Sequence, residues 1–204
     1  MSVEEILSKI PSYSEELGLD LRRKEDRFKW FLASILFAKR ISANIAKRTF
    51  LKFAETDLTT PQRILDAGWD KLVEVLDAGG YVRYDFSTAT NLLKIAEKLV
   101  KEYGGDVDKI HEKASSPRDL EKRLLEFKGI GPVAVNIFLR ELRGIWSKAD
   151  PEPSLKALKV ARKLGLTEVK KYESKLVRIY LEYCKKKKCQ ACPLREYCRE
   201  PELK

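Results

Sequence analysis

The stretch LLEFKGIGPVA, residues 124–134, decides the fold prediction for this 204-residue chain. One helix ends near Phe127, two glycines flank Ile130, and Pro132 stands at the first position of a second helix. Glycine permits a tight turn and lets a ligand approach the backbone closely. The free N–H groups and the positive dipole end of the second helix favour an anion. The stretch therefore predicts either a plain helix–helix turn or a turn that binds a phosphodiester backbone.

Helix signals continue on both sides of this turn, and no run of residues alternates convincingly between apolar and polar. Ser2 and Glu5 form a capping box at the start of the chain. Gly68 is expected to separate two short helices, and Ser87 to cap the longest central helix. Ser116 precedes a proline and is expected to start a further helix. We therefore predict an all-α fold.

The charge balance points to a polyanionic partner. The chain carries 41 Lys and Arg against 31 Asp and Glu, a net charge of +10, and 44% of its residues are hydrophobic. Such a globular basic protein most often binds nucleic acid, although an enzyme with a basic surface is the alternative. No signal peptide and no membrane-spanning apolar run is present, so we expect a cytoplasmic, nucleoid-associated protein with no membrane partner. The 35% charged residues resemble a heat-adapted composition, and we expect a prokaryotic protein.

All four cysteines lie near the C-terminus, as Cys184, Cys189, Cys192 and Cys198. Disulfides would need an oxidising compartment and are disfavoured. Tetrahedral zinc and an iron–sulfur cluster both need four such ligands, and the spacing alone leaves both open. Four lysines at 185–188 make the segment cationic, which is expected to lower the pKa of the thiols.

The order of this hairpin, an acid-containing loop and a four-cysteine segment resembles the endonuclease III superfamily of DNA glycosylases. The resemblance covers nearly the full chain and is strongest at 124–150 and 184–198. It implies a helix-hairpin-helix glycosylase fold, with a six-helix barrel at 26–145 and a discontinuous iron–sulfur domain formed by 1–25 and 146–204. It also implies a [4Fe-4S] cluster. Four residues separate the first two cysteines where the family commonly has six, which keeps zinc as the alternative.

The resemblance assigns DNA-backbone contacts to the hairpin residues, which are Lys128, Gly129, Ile130, Gly131 and Val133. In bifunctional members a lysine two residues after the second glycine attacks the sugar. Val133 occupies that position here and cannot act as a nucleophile. We therefore predict a base-excision-repair enzyme that excises a damaged or mismatched base by hydrolysing the N-glycosidic bond, without efficient AP lyase activity. The alternatives are a bifunctional glycosylase/AP lyase and an inactive DNA-binding homologue.

A carboxylate is expected to stabilise the oxocarbenium-like sugar or to orient the attacking water. Asp150 follows the hairpin at the distance typical of the family's aspartate, and Glu152 is the second choice. The alternative role for Asp150 or Ser154 is to cap the helix that begins near Leu155. The resemblance allows alkylated purines, mismatched pyrimidines or adenine as the excised base.

The resemblance also implies a base flipped out of double-stranded DNA. Lys39 and Arg40 lie in the stretch that corresponds to the family's gap-filling loop, and either is expected to fill the gap or to bind a DNA phosphate. The alternative is a solvated basic loop. Tyr81 and Tyr84 are candidates for a base pocket, with a place in the core as the alternative. We expect the protein to act as a monomer.

Three aromatic or imidazole side chains are expected to have no part in chemistry. Trp30 and Trp146 are predicted to lie in the core. His111, the single histidine, is predicted to lie in a loop, either at the surface or as a helix cap.

Overall fold

The computed structural model describes residues 2–200, which form helices and no β-strand. This confirms the all-α prediction. The eleven α-helices in that range are α1 Val3–Lys9, α2 Tyr13–Glu16, α3 Lys24–Phe37, α4 Ala43–Glu55, α5 Pro61–Gly79, α6 Asp85–Tyr103, α7 Asp108–Lys113, α8 Pro117–Leu125, α9 Pro132–Arg140, α10 Leu155–Leu164 and α11 Val169–Ile179. No helix within the described range is both long and apolar enough to cross a membrane.

Several helices begin at side-chain caps that the sequence predicts. The Ser2 hydroxyl accepts from the Glu5 amide at 3.2 Å, and the Glu5 carboxylate accepts from the Ser2 amide at 3.0 Å. Ser116 caps α8 through the amide of Asp119 at 3.1 Å. Because each cap satisfies N–H groups that have no acceptor within the helix, it fixes where the helix starts.

The prediction that Ser87 caps the central helix is wrong. The helix α6 begins at Asp85, and Ser87 lies within its first turn. The Ser87 hydroxyl donates to the Tyr84 carbonyl at 3.1 Å instead. A serine in the first turn of a helix can bond a carbonyl behind it, so its side chain does not mark the helix start here.

The predicted break at Gly68 is confirmed. Gly68 has φ 74° and ψ 177°, which no residue within a helix adopts, and the helical residues on its two sides together make up α5. Positive φ costs little for glycine because it has no Cβ. The break therefore divides α5 into the two short helices that the sequence predicts.

The chain divides into two compact units. Residues 19–150 form the larger unit and contain α3 to α9. Residues 1–18 and 151–204 form the smaller unit and contain α1, α2, α10, α11 and the cysteine segment. The sequence placed these boundaries at 26 and 145 and expected six helices in the larger unit, where the structure has seven.

An aromatic cluster forms the centre of the larger unit. The Phe31 ring lies 5.0 Å from that of Phe138 and 6.0 Å from that of Phe127, both edge to face. Trp146 packs edge-on against Phe138 at 5.4 Å. Trp30 is fully buried, and its indole N–H donates to the Phe138 carbonyl at 3.3 Å. Both tryptophans are core residues, as predicted.

The smaller unit has its own apolar core. Leu7 from α1 packs with residues of α10 and α11, among them Ala157 and Leu176, and with Leu194 from the cysteine segment. All four of these side chains are almost completely buried. Segments from both ends of the chain therefore share one core in this unit.

Candidate functional site

The hairpin between α8 and α9 is pinned by one buried side chain. Ile130 is 7% exposed, and its amide donates to the Phe127 carbonyl at 3.1 Å. Lys128 and Gly129, on the preceding part of the turn, are exposed. The buried Ile130 side chain thus fixes the turn, while the backbone of Lys128 and Gly129 faces solvent.

The two glycines of the hairpin have different physical reasons to be glycine. Gly129 has φ 83°, and a Cβ there would lie 2.3 Å from the Asn91 side-chain nitrogen. Gly131 has an ordinary φ of −116°, and a Cβ there would have no atom within 4 Å beyond its chain neighbours. The turn itself therefore requires Gly129. Gly131 leaves open space beside the backbone.

That open space lies at the N-terminus of α9. Gly131 is the N-cap and has no side chain that could accept from the first amides of the helix. Pro132 and Val133 are exposed, and Val133 keeps 53% of its surface accessible. The positive end of the α9 dipole is thus exposed, and the residues around it are small and uncharged. This arrangement suits the binding of an anionic group.

Asp150 lies at the end of a short loop that follows the buried Trp146. Its carboxylate is half exposed, and its Oδ1 lies 3.6 Å from Nε of Arg143. The Asp150 amide donates to the Lys148 carbonyl at 3.1 Å. The loop therefore presents an accessible carboxylate next to a guanidinium.

The alternative role of Asp150, as the cap of α10, belongs to Ser154. The Ser154 hydroxyl accepts from the Ala157 amide at 3.4 Å, and the Ser154 amide donates to the Glu173 carboxylate at 2.9 Å. Glu152 is exposed and lies in the non-helical stretch before α10. The helix thus has its cap without either acidic candidate.

His111 holds the loop that carries Asp150, a relationship that the sequence prediction missed. His111 lies on α7 rather than in a loop, and its ring nitrogen accepts a hydrogen bond from the Lys148 amide at 3.4 Å. In return the Lys148 ammonium donates to the His111 carbonyl at 2.9 Å. Burial lowers the pKa of His111, and the charge of Lys148 lowers it further. The helix is six residues long and lacks a side-chain cap, so little in the sequence marked it.

Lys39 and Arg40 lie in the turn between α3 and α4. Arg40 is exposed and Lys39 is half-buried. The Ile41 amide donates to the Lys39 carbonyl at 2.9 Å, and Ser42 then caps α4. The turn therefore holds both cations at the start of a helix.

The two tyrosines proposed for a base pocket have different environments. Tyr81 is fully buried, and its hydroxyl donates to the Leu36 carbonyl at 2.8 Å. A ring held in this way cannot stack on a base, so the prediction for Tyr81 is corrected to a core role. Tyr84 is half-buried, with the Arg83 guanidinium 5.5 Å from its ring centroid.

The four cysteines lie in consecutive short turns after α11. Cys184 ends a π-helical turn, Cys189 opens a 3-10 turn that Cys192 closes, and Cys198 closes another. All four are free thiols of intermediate exposure. Within residues 2–200, no three Cys, His, Asp or Glu side chains already converge on a position for a single metal ion.

The expectation that the lysine run lowers the thiol pKa values is wrong for two of the cysteines. Burial raises the pKa of Cys184, the Cys192 thiolate raises it further, and only part of the rise is opposed by Lys163. Burial also raises the pKa of Cys192. The lysines at 185–188 are exposed to solvent, which screens their charge, so burial decides the direction.

Comparison with known proteins gives a similarity that extends over most of the chain. The chain is 27% identical to endonuclease III of Rickettsia conorii over 194 residues, which cover 84% of this chain and 83% of that protein. No protein-family model matches the chain.

Proposed function

We propose that the protein is a DNA repair glycosylase that excises a damaged or mismatched base and does not cut the DNA strand efficiently. The similarity to endonuclease III supports a DNA repair glycosylase in general. The net charge of +10 suits a polyanionic substrate. In this proposal the protein acts as a monomer on double-stranded DNA in the cytoplasm.

The observation that carries the proposal is the exposed N-terminus of α9. Gly131 leaves the backbone accessible there although the fold does not need a glycine at that position. Backbone amides at a helix start bind phosphate without reading base sequence. Such a grip suits an enzyme that must hold any duplex and act on one abnormal base.

Asp150 is the side chain that we assign to the chemistry. When the bond between the base and C1′ breaks, its electron pair leaves with the base and the sugar becomes cationic. The carboxylate stabilises that charge and orients a water molecule, whose oxygen bonds to C1′ while its proton passes to the carboxylate or the departing base. Asp150 is half exposed, and Ser154 supplies the side-chain cap of α10, which supports this assignment.

The absence of an amine at position 133, where the bifunctional pattern has its lysine, supports hydrolysis over strand cleavage. A lyase needs a nucleophilic amine that forms a covalent intermediate with C1′ of the sugar. Val133, at the position where the bifunctional pattern has lysine, offers only an aliphatic side chain, 53% exposed. An apolar side chain at this place can contact DNA but cannot form a bond to it.

The donor set of the smaller unit fits a [4Fe-4S] cluster. Cys184, Cys189, Cys192 and Cys198 would hold it, one thiolate to each iron. Burial and neighbouring thiolates raise the pKa of Cys184, and bound iron would offset that cost by stabilising the thiolate. When bound, such a cluster supplies a covalent connection between the turns. Zinc is the alternative metal.

One assay separates this function from its competitors. Duplexes that each contain a single modified or mismatched base are incubated with the protein, and each sample is split between treatment with and without hot alkali. Strand breaks that require alkali are expected. Strand breaks without alkali would identify a lyase. If no duplex with an alkylated purine, a mismatched pyrimidine or a mispaired adenine gives a product, the protein is a DNA-binding protein without glycosylase activity.

A further inference from the structure

Lys163, in the last turn of α10, holds the end of the cysteine segment in two ways. Its carbonyl accepts from the Arg199 amide at 2.9 Å. Its ammonium donates to the Glu200 carbonyl at 3.2 Å. These bonds fix the backbone directly after Cys198, so one residue of α10 sets where the last cysteine lies.

The same lysine borders the first cysteine. A cavity of about 200 Å³ in the smaller unit is lined by Lys163 and Cys184, together with Val160 and Tyr180. Lys159, Lys185 and Lys187 complete its wall, and none of the lining residues is acidic. The cavity therefore presents an excess of positive charge beside a thiol.

Burial distinguishes Lys163 from the other lysines of this wall. Lys163 is 9% exposed, whereas Lys159, Lys185 and Lys187 all face solvent. A buried charge acts through a medium of low dielectric constant and is little screened by salt. Among these four cations, Lys163 is therefore expected to have the strongest electrostatic interaction with Cys184.

We propose that Lys163 is a positioning residue for the iron–sulfur cluster, which fixes the cysteine segment and raises the reduction potential of the cluster. This inference rests on the cofactor proposed above. Four thiolates give a [4Fe-4S] cluster a net negative charge, and a nearby cation favours the further electron of the reduced state. Hydrogen bonds beyond the ligands hold the ligands in place and slow the loss of metal.

Lys163→Met tests both parts of the proposal on the full-length protein. We expect about tenfold faster cluster loss to an iron chelator, followed by the visible absorbance, because the bond to Glu200 is gone. We also expect a lower midpoint potential, because the buried charge is gone. Lys163→Arg keeps the charge and a donor, and it should restore both properties towards wild type.

Lys159→Met is the matched control, since it removes an exposed lysine from the same cavity wall. Its cluster loss should equal wild type, and its potential should shift less than that of Lys163→Met. If Lys163→Met binds no iron, Lys163→Arg is the deciding variant. An arginine variant that keeps the cluster supports the proposal, and one that also binds no iron overturns it. Equal potentials and equal loss rates for wild type and Lys163→Met also overturn it. A wild-type protein that contains zinc overturns the cofactor assignment, and this inference with it.

Discussion

His111 and Trp146 stack face to face, with ring centroids 5.0 Å apart and ring planes inclined by 12°. Trp146 begins the loop that ends at Asp150, and the His111 ring accepts from the Lys148 amide within that loop. Since Trp146 is itself held in the aromatic core, the stack connects the core to the candidate carboxylate through one imidazole.

This stack predicts a pH-dependent stability. Burial, followed by the charge of Lys148, lowers the pKa of His111 in the folded protein. Below the unfolded value of about 6.5 the unfolded chain binds more protons than the folded one, so the free energy of unfolding falls as pH falls. Urea unfolding between about pH 5 and about pH 7 measures this slope.

His111→Phe is the control for that slope, because it keeps an aromatic ring against Trp146 and removes the titrating group. As His111 is the single histidine, the difference between the two proteins isolates its contribution. Identical slopes in wild type and variant would contradict the prediction.

Asp150→Asn is expected to reduce base excision by about 10²- to 10⁴-fold, because the amide cannot stabilise a cationic sugar. DNA affinity should change little, and gel-shift binding with a non-cleavable duplex checks this. Glu152→Gln is the matched control and should retain excision. Loss of activity in Glu152→Gln with full activity in Asp150→Asn would transfer the role to Glu152.

Gly129→Ala and Gly131→Ala are expected to separate folding from DNA binding. Alanine at 129 meets Asn91 and needs a positive φ, so it should lower the free energy of unfolding by about 1–3 kcal/mol. Alanine at 131 meets nothing within 4 Å and should leave stability within about 0.5 kcal/mol. It should weaken duplex binding, because its methyl group occupies the space through which a phosphate would approach. Wild-type affinity in Gly131→Ala would count against the hairpin as the DNA site.

Replacing the exposed lysines 185–188 with glutamine should flatten the salt dependence of DNA binding. Each lost phosphate contact reduces the slope of log K against log salt by about 0.9. The same change at Lys170 and Lys171, which are exposed at the start of α11, provides a control with the slope of the wild type. Iron content should be measured in parallel, and an unchanged slope for the 185–188 variant would refute the contact.

The half-buried pair of Arg27 and Asp108 is expected to stabilise the larger unit. Their side chains meet at 2.6 Å with 16% and 12% of their surfaces exposed, and Arg27 also donates to the Leu21 carbonyl. Arg27→Met leaves a buried carboxylate without this partner and should cost about 3 kcal/mol in urea unfolding. Lys71→Met breaks an exposed pair with Glu74 and should cost less than about 1 kcal/mol. Equal costs would show that burial does not matter at Asp108.

Local signals in the sequence predicted the parts of the fold that depend on local chemistry. The capping box of Ser2 and Glu5 and the break at Gly68 are each decided within a few residues. A second capping box, of Ser12 and Glu15, had the same signal and opens α2, which the sequence reading overlooked. Ser87 was misplaced because a serine in the first turn of a helix has a second acceptor available, the carbonyl of Tyr84.

The remainder depended on contacts between distant residues. Arg27 pairs with Asp108, and Lys148 with His111, although the partners are far apart in sequence. No local sequence pattern around one residue identifies its partner. The buried Tyr81 hydroxyl likewise donates to a carbonyl that is distant in sequence, that of Leu36. Periodicity identifies the buried face of a helix but does not identify the groups that will cover it.

The smaller unit is built from the two ends of the chain, and this affects its synthesis on the ribosome. Residues 2–18 leave the exit tunnel well before α10 and α11, so the surface of Leu7 stays uncovered until those helices emerge. The larger unit can complete its core while translation continues, because domains generally fold as units in the order in which they emerge. A nascent chain stalled before α10 would thus carry a finished larger unit and an α1 segment whose three apolar side chains, Val3, Ile6 and Leu7, lack their later partners. A chaperone can bind such a segment.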